Sequence, residues 1–163
     1  MKRSFLLTLA LITVGCAEPI PRNLDDLVQQ GEDTYLDRET MRPYSGPVFR
    51  FLPNDTTRVL LSANLKDGKL DGPYEKYWDN GQLAQKANYV AGEWHGPAEG
   101  YHENGQLGMK VTYKDGEYDG LWEAYDENGQ LLGRGTFNMG EECGEWFEDG
   151  ETVTYDPCPP SGN

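Results

Sequence analysis

Few residues in this chain are equipped for bond-making chemistry. His95 and His102 are its only imidazoles, and a nucleophile needs a base held beside it by a third group. His95 falls in a turn and His102 in an otherwise ordinary strand pattern, so both read as exposed structural histidines. Cys143 and Cys158, with only those two histidines far from them in the chain, fall short of the ligand count of a structural metal site. Adjacent carboxylates occur at Asp126-Glu127, Glu141-Glu142 and Glu148-Asp149. Among 28 acidic residues such pairs arise from composition alone, and most sit beside turn glycines rather than facing each other across a cleft, as glycosidic chemistry requires. The glycine fingerprints of phosphate and dinucleotide loops are missing. The expectation is no catalytic residue, no metal and no cofactor: not an enzyme.

The formal net charge of −14 argues against nucleic acid, whose recognition rests on cationic contacts to phosphate, and against docking on anionic headgroups. Such acidity ordinarily marks a solvated face; its sharper reading is a basic partner.

The elements that would position any site are repeats. Gly72-Pro-Tyr-Glu-Lys-Tyr-Trp-Asp-Asn-Gly-Gln-Leu returns 24 residues later from Gly96 and again from Gly120. A fixed period of this size marks a repeat architecture. Asn-Gly between two alternating runs is a hairpin signal, so Asn80-Gly81, Asn104-Gly105 and Asn128-Gly129 read as two-residue type I′ turns. That register sets Glu75 opposite Lys86, Glu99 opposite Lys110 and Glu123 opposite Arg134. It also sets Gly72, Gly96 and Gly120 opposite Tyr89, Tyr113 and Phe137, aromatic rings covering bare strand backbone. Leu83, Leu107 and Leu131 are expected on a packing face with Ala87, Val111, Tyr74, Trp122 and Trp146. Tyr77, Tyr101 and Tyr125 are expected in a row on the other, wet face beside the ion pairs. The candidate partner surface is Tyr77, Tyr101 and Tyr125 with Trp78 and Trp94, since exposed aromatics flanked by charges are the material of interface hot spots.

The pattern Gly-x-aromatic-x-x-Tyr, Asn-Gly-Gln-Leu, Tyr/Phe-x-x-Gly-Glu-x-x-Gly resembles the MORN family, in particular the bacterial variant of YwqK-type antitoxin proteins, over roughly Tyr44 to Gly150. The resemblance implies an all-β fold, an elongated single-layer antiparallel sheet of stacked hairpins. It implies no single chemistry; the YwqK likeness implies an antitoxin or immunity role. Ala98 and Gly100 depart from the pattern and make the second repeat the softest.

Residues 1–15 read as a signal segment: Lys2 and Arg3, then an apolar run too short to span a bilayer as a helix. Gly15-Cys16 resembles a bacterial lipobox, with Ile12 and Val14 fitting and Thr13 weaker, and implies acylation of Cys16. Ala17 resembles the signal for sorting to the Gram-negative outer membrane, so the implied location is the cell envelope, anchored by several acyl chains. Residues 16–23 form a tether. Lipidation of Cys16 leaves Cys143 and Cys158 as a pair in an oxidising compartment, read as a disulfide.

Residues 24–45 allow two readings: a helical turn through Leu24, Leu27 and Val28 capped by Asn23, or a hairpin of Leu27–Gln29 with Thr34–Leu36. The hairpin is the preferred reading, because it sets Tyr44 where later repeats have Tyr118, and it makes the segment a degenerate capping repeat. Residues 46–150 are the repeats, the first with two extra residues at Pro53–Thr57. Residues 151–163 are a last strand and tail. About ten strands are expected, both edges protected against pairing, and the chain monomeric. The functional expectation is a membrane-anchored lipoprotein that binds another protein across its sheet; the alternative is a structural envelope spacer or assembly protein without a dedicated ligand.

Overall fold

The computed structural model describes residues 20–159. The signal segment, Cys16 and the start of the tether lie outside the described residues. The rest is all-β: β1 (Arg22–Asn23), a 3-10 turn (Leu24–Asp26), β2 (Val28–Gln30), β3 (Thr34–Leu36), β4 (Gly46–Leu52), β5 (Asp55–Lys66), β6 (Lys69–Tyr77) and β7 (Leu83–Val90) come first. β8 (Glu93–Trp94), β9 (Gly96–Tyr101), β10 (Leu107–Lys114), β11 (Glu117–Tyr125), β12 (Leu131–Asn138), β13 (Glu141–Glu148) and β14 (Glu151–Thr154) follow. β2 and β3 pair by themselves; the other strands form one 12-stranded open sheet in which β4 to β7 and β9 to β14 lie in sequence order, antiparallel, with β8 paired to β7 off that path.

The expected register holds at every quoted pair. Glu75 meets Lys86, Glu99 meets Lys110 and Glu123 meets Arg134; Gly72, Gly96 and Gly120 meet Tyr89, Tyr113 and Phe137. The turn type does not hold. Positive φ at both central residues belongs to the turns between repeats, such as Ala91-Gly92 (52° and 96°) and Asp115-Gly116 (50° and 84°), whereas at Asn80-Gly81 only the glycine is positive. Gly81 N–H donates to the Trp78 carbonyl and Trp78 N–H to the Gln82 carbonyl, each at 2.8 Å, which makes a three-residue loop. A one-residue bulge between the Tyr77–Leu83 and Lys76–Gln85 pairs then restores the expected register. The same irregularity recurs beside Leu107 and Leu131.

The bulge has a second consequence. Skipping one residue moves Leu83, Leu107 and Leu131 to the other side of the sheet, each directly opposite its own tyrosine, Tyr77, Tyr101 or Tyr125. They are not on the packing face. That face is built from Val48, Ala63, Tyr74, Ala87, Ala98, Val111 and Trp122, consecutive partners across the strands. Along it the rings of Tyr74, Tyr89, Trp94, Tyr113, Tyr118, Phe137 and Trp146 follow one another with centroids 4.8–5.4 Å apart. A β-carbon built on Gly135 would stand 2.0 Å from Trp146 Cδ2, so glycine there is the space that Trp146 occupies. In the second repeat the strand breaks at His95, between β8 and β9, where β6 and β11 run unbroken.

The preferred hairpin forms, and before it Leu24–Asp26 make a 3-10 turn that stops short of Leu27 and Val28. Asn23 caps the 3-10 turn through its Oδ1, which accepts from Asp25 N–H at 3.1 Å, and β2 pairs with β3 one residue later than expected, Val28 with Leu36. The segment does not extend the sheet as a capping repeat. Leu24 and Leu27 pack instead on Val48, Ala63 and Leu65, covering the packing face of the first strands because that burial is where apolar area leaves water. Asp25–Arg50 (2.8 Å) and Asp33–Lys69 (2.9 Å) hold it to β4 and β6. Tyr44 does take the expected place: its carbonyl accepts from Gly68 as the Tyr118 carbonyl accepts from Gly140. Arg22–Asn23, expected as tether, pairs parallel with β4 and covers that edge at Val48 and Phe49. At the other end Cys143 and Cys158 are disulfide-bonded, tying the chain after β14 back to β13.

Candidate functional site

The face opposite the aromatic packing carries three parallel rows. Nearest the Asn-Gly turns run the pairs Phe51–Val59, Tyr77–Leu83, Tyr101–Leu107 and Tyr125–Leu131. In the middle, Glu75, Lys86, Glu99, Lys110, Glu123 and Arg134 alternate in sign from strand to strand. Beyond them lie Pro73–Asn88, Pro97–Thr112 and Leu121–Thr136. The tyrosines and leucines of the first row remain part-exposed.

The charges meet in register without forming the expected ion pairs: no Glu–Lys or Glu–Arg contact of this row closes to salt-bridge distance among the described residues. The carboxylates hold tyrosines instead. Tyr77 Oη donates to Glu75 Oε2 at 2.6 Å and Tyr101 Oη to Glu99 Oε2 at 2.7 Å. A residue and the one two places on share a strand face, which makes this contact available at Glu75–Tyr77, Glu99–Tyr101 and Glu123–Tyr125 but not at Phe49–Phe51. The bonded glutamates, with a smaller contribution from burial, push the Tyr77 and Tyr101 hydroxyls up to about 12. Tyr125 is raised mainly by burial and then by Glu123.

Of the two tryptophans, Trp94 does not join this surface. Trp94 stacks between Tyr89 and Tyr113 (4.8 and 5.0 Å) on the opposite face. Trp78 lies in the turn, where its Nε1–H donates to the Tyr101 carbonyl at 2.9 Å. His102, one period later, bonds the Tyr125 carbonyl through Nε2 at the same distance. Beside them Asn80 Nδ2 donates to the Glu103 carbonyl and Asn104 Nδ2 to the Glu127 carbonyl, both at 2.7 Å. These side chains form a ladder joining each repeat to the next, and their spacing of 23 residues from donor to acceptor was its only trace in the sequence. The longer first loop supplies the preceding rung: Arg58 Nη1 donates to the Asp79 carbonyl at 2.6 Å. Arg58 is steered by Asp55, which the Thr57 hydroxyl and Arg58 together hold down at about 2. The two extra residues are thus spent on a structural contact.

His95 lies 3.7 Å from Asp115, far from His102 and its turn. Among the described residues no three His, Cys, Asp or Glu side chains converge as metal ligands.

Residues 70–91, 94–115 and 118–139 each match the family model described as MORN repeat variant. Over these three segments the chain is similar to MORN repeats. Each match runs from the start of one hairpin to the turn after it, in frame with the observed bulges and turns. Residues 46–66, with their longer loop, and the fraying copy after Gly140 fall outside the matched segments, although Gly46–Leu65 and Phe51–Val59 pair as their MORN counterparts do. No curated protein matches the chain.

Proposed function

We propose that this chain is a lipid-anchored envelope protein, not an enzyme, whose MORN repeats bind another protein across the Tyr77–Tyr101–Tyr125 face. One observation carries the reading: an aromatic–aliphatic pair recurs four times at one position on a part-exposed face, beside a row of alternating charge. Aromatic anchors beside charged groups are what interface hot spots use, and a repeat array extends such a surface by stacking. The net charge of −14 favours a basic partner. The likeness to YwqK-type antitoxins makes immunity, an acidic protein masking a basic toxin, the specific form of this function. Anchoring rests on the Met1–Cys16 sequence, and acylation of Cys16 with further chains would hold the protein at the membrane.

A second reading has its own support. The Tyr77 and Tyr101 hydroxyls are already bonded within their own strands, as befits repeat consensus in a spacer or assembly module without a dedicated ligand. Mild crosslinking in the native envelope, followed by mass spectrometry, separates the two. An acylated Cys16 with one reproducible partner attached through Lys86 or Lys110 is the expected result. Acylation without a specific adduct would leave the spacer, and an unmodified Cys16 would overturn the anchored location.

A further inference from the structure

We propose that Asn128 is a site of spontaneous deamidation from which Asn80 and Asn104, in the same Asn-Gly-Gln-Leu sequence, are protected by the inter-repeat ladder. Asn-Gly is the dipeptide most open to this reaction, because glycine places no side chain in the path of its own nitrogen. The backbone nitrogen of Gly129 attacks the side-chain carbonyl carbon of Asn128, forming a C–N bond and closing a succinimide ring. Ammonia leaves with the side-chain nitrogen and the proton lost from Gly129. Water then opens the ring at either carbonyl, giving aspartate or isoaspartate. The net exchange is amide and water for carboxylic acid and ammonia.

The nucleophile is alike in all three turns: Gly81, Gly105 and Gly129 N–H donate to the carbonyls of Trp78, His102 and Asp126 at 2.8, 2.9 and 3.0 Å. The electrophile is not. Asn80 Oδ1 accepts from Gln82 N–H at 2.9 Å while its Nδ2 donates across to Glu103 at 2.7 Å; Asn104 does the same with Gln106 and Glu127 at the same distances. Both ends of each amide are held, so turning its carbon toward the glycine nitrogen breaks two hydrogen bonds. At Asn128 the described residues supply no next rung, and Asp126 has taken over the turn, accepting from Asn128 N–H at 2.9 Å and Gln130 N–H at 2.7 Å. The Asn128 amide keeps one long bond, Nδ2 to Asp126 Oδ2 at 3.3 Å.

Trypsin separates the three asparagines, since Lys76, Lys86, Lys110, Lys114 and Arg134 bracket them. The disulfide-intact chain is aged at mildly alkaline pH and its peptides are quantified for aspartate and isoaspartate. In the native protein the Asn128 peptide should convert at least about tenfold faster than the other two, a difference equivalent to about 1.4 kcal/mol. In denaturant the three rates should converge. Equal native rates, faster conversion at Asn80 or Asn104, or a preference for Asn128 that survives unfolding would each overturn the proposal.

Discussion

On the packing face Trp122 and Trp146 lie over Gly133 and Gly135 so closely that a β-carbon there would stand 2.9 and 2.0 Å from the rings, whereas on the opposite face Tyr77 and Tyr101 hold only a carboxylate two residues away. Both faces arise from one 24-residue period, yet they divide its labour. Each packing-face ring is fixed by residues of neighbouring strands, so that face ties the array together. Each tyrosine–glutamate unit is satisfied inside its own strand. Removing a tyrosine hydroxyl therefore leaves the packing that ties neighbouring strands together in place.

The difference is sharpest at Trp146, which is 5% exposed and touches Trp122 and Phe137. Trp146→Ala should cost about 3–5 kcal/mol, measured by urea denaturation of the oxidised protein. A loss comparable to that of a surface substitution would remove the distinction between the faces. Alkaline titration should give a smaller effect. A neutral Tyr77 or Tyr101 hydroxyl donates to its glutamate, while the ionised form would set two anions together. With folded values near 12 against an ordinary 10, their contribution is whole below pH 10 and is lost as pH rises toward 12. Tyrosinate absorbance should show these two side chains ionising late. The smallest effect is expected for Tyr101→Phe, a stability change within about 0.5 kcal/mol that removes one of the late-titrating groups.

Much of this architecture was legible in the sequence because the repeats cross-check one another: three Glu–Lys/Arg pairs and three glycine–aromatic pairs can coincide only in one register. The side of Leu83 was not legible. A loop one residue longer than expected and a bulge one residue deep cancel in the register but not in the face, and Ala84, Gly108 and Leu132 share no residue type that would mark the bulge. In the sequence Asn80 and Asn104 signal tolerance of positive φ; in the fold they serve as donors to the next repeat, a role visible only once two turns stand side by side. The Asn23 cap and the early hairpin were both readable locally. That they fold over Val48 and Leu65 depends on contacts far along the chain. Trp94 looks like one more exposed aromatic in the sequence, and only the folded sheet brings Tyr89 and Tyr113 to its two sides.

The division between the faces is tested most directly by installing a photo-reactive benzoylphenylalanine either at Tyr101 or at Tyr118 and irradiating the protein in its native envelope. Tyr118 stacks between Tyr113 and Phe137 on the packing face. Partner adducts from position 101 and none from position 118 are the predicted result. Adducts from position 118 alone, or equally from both, would contradict it.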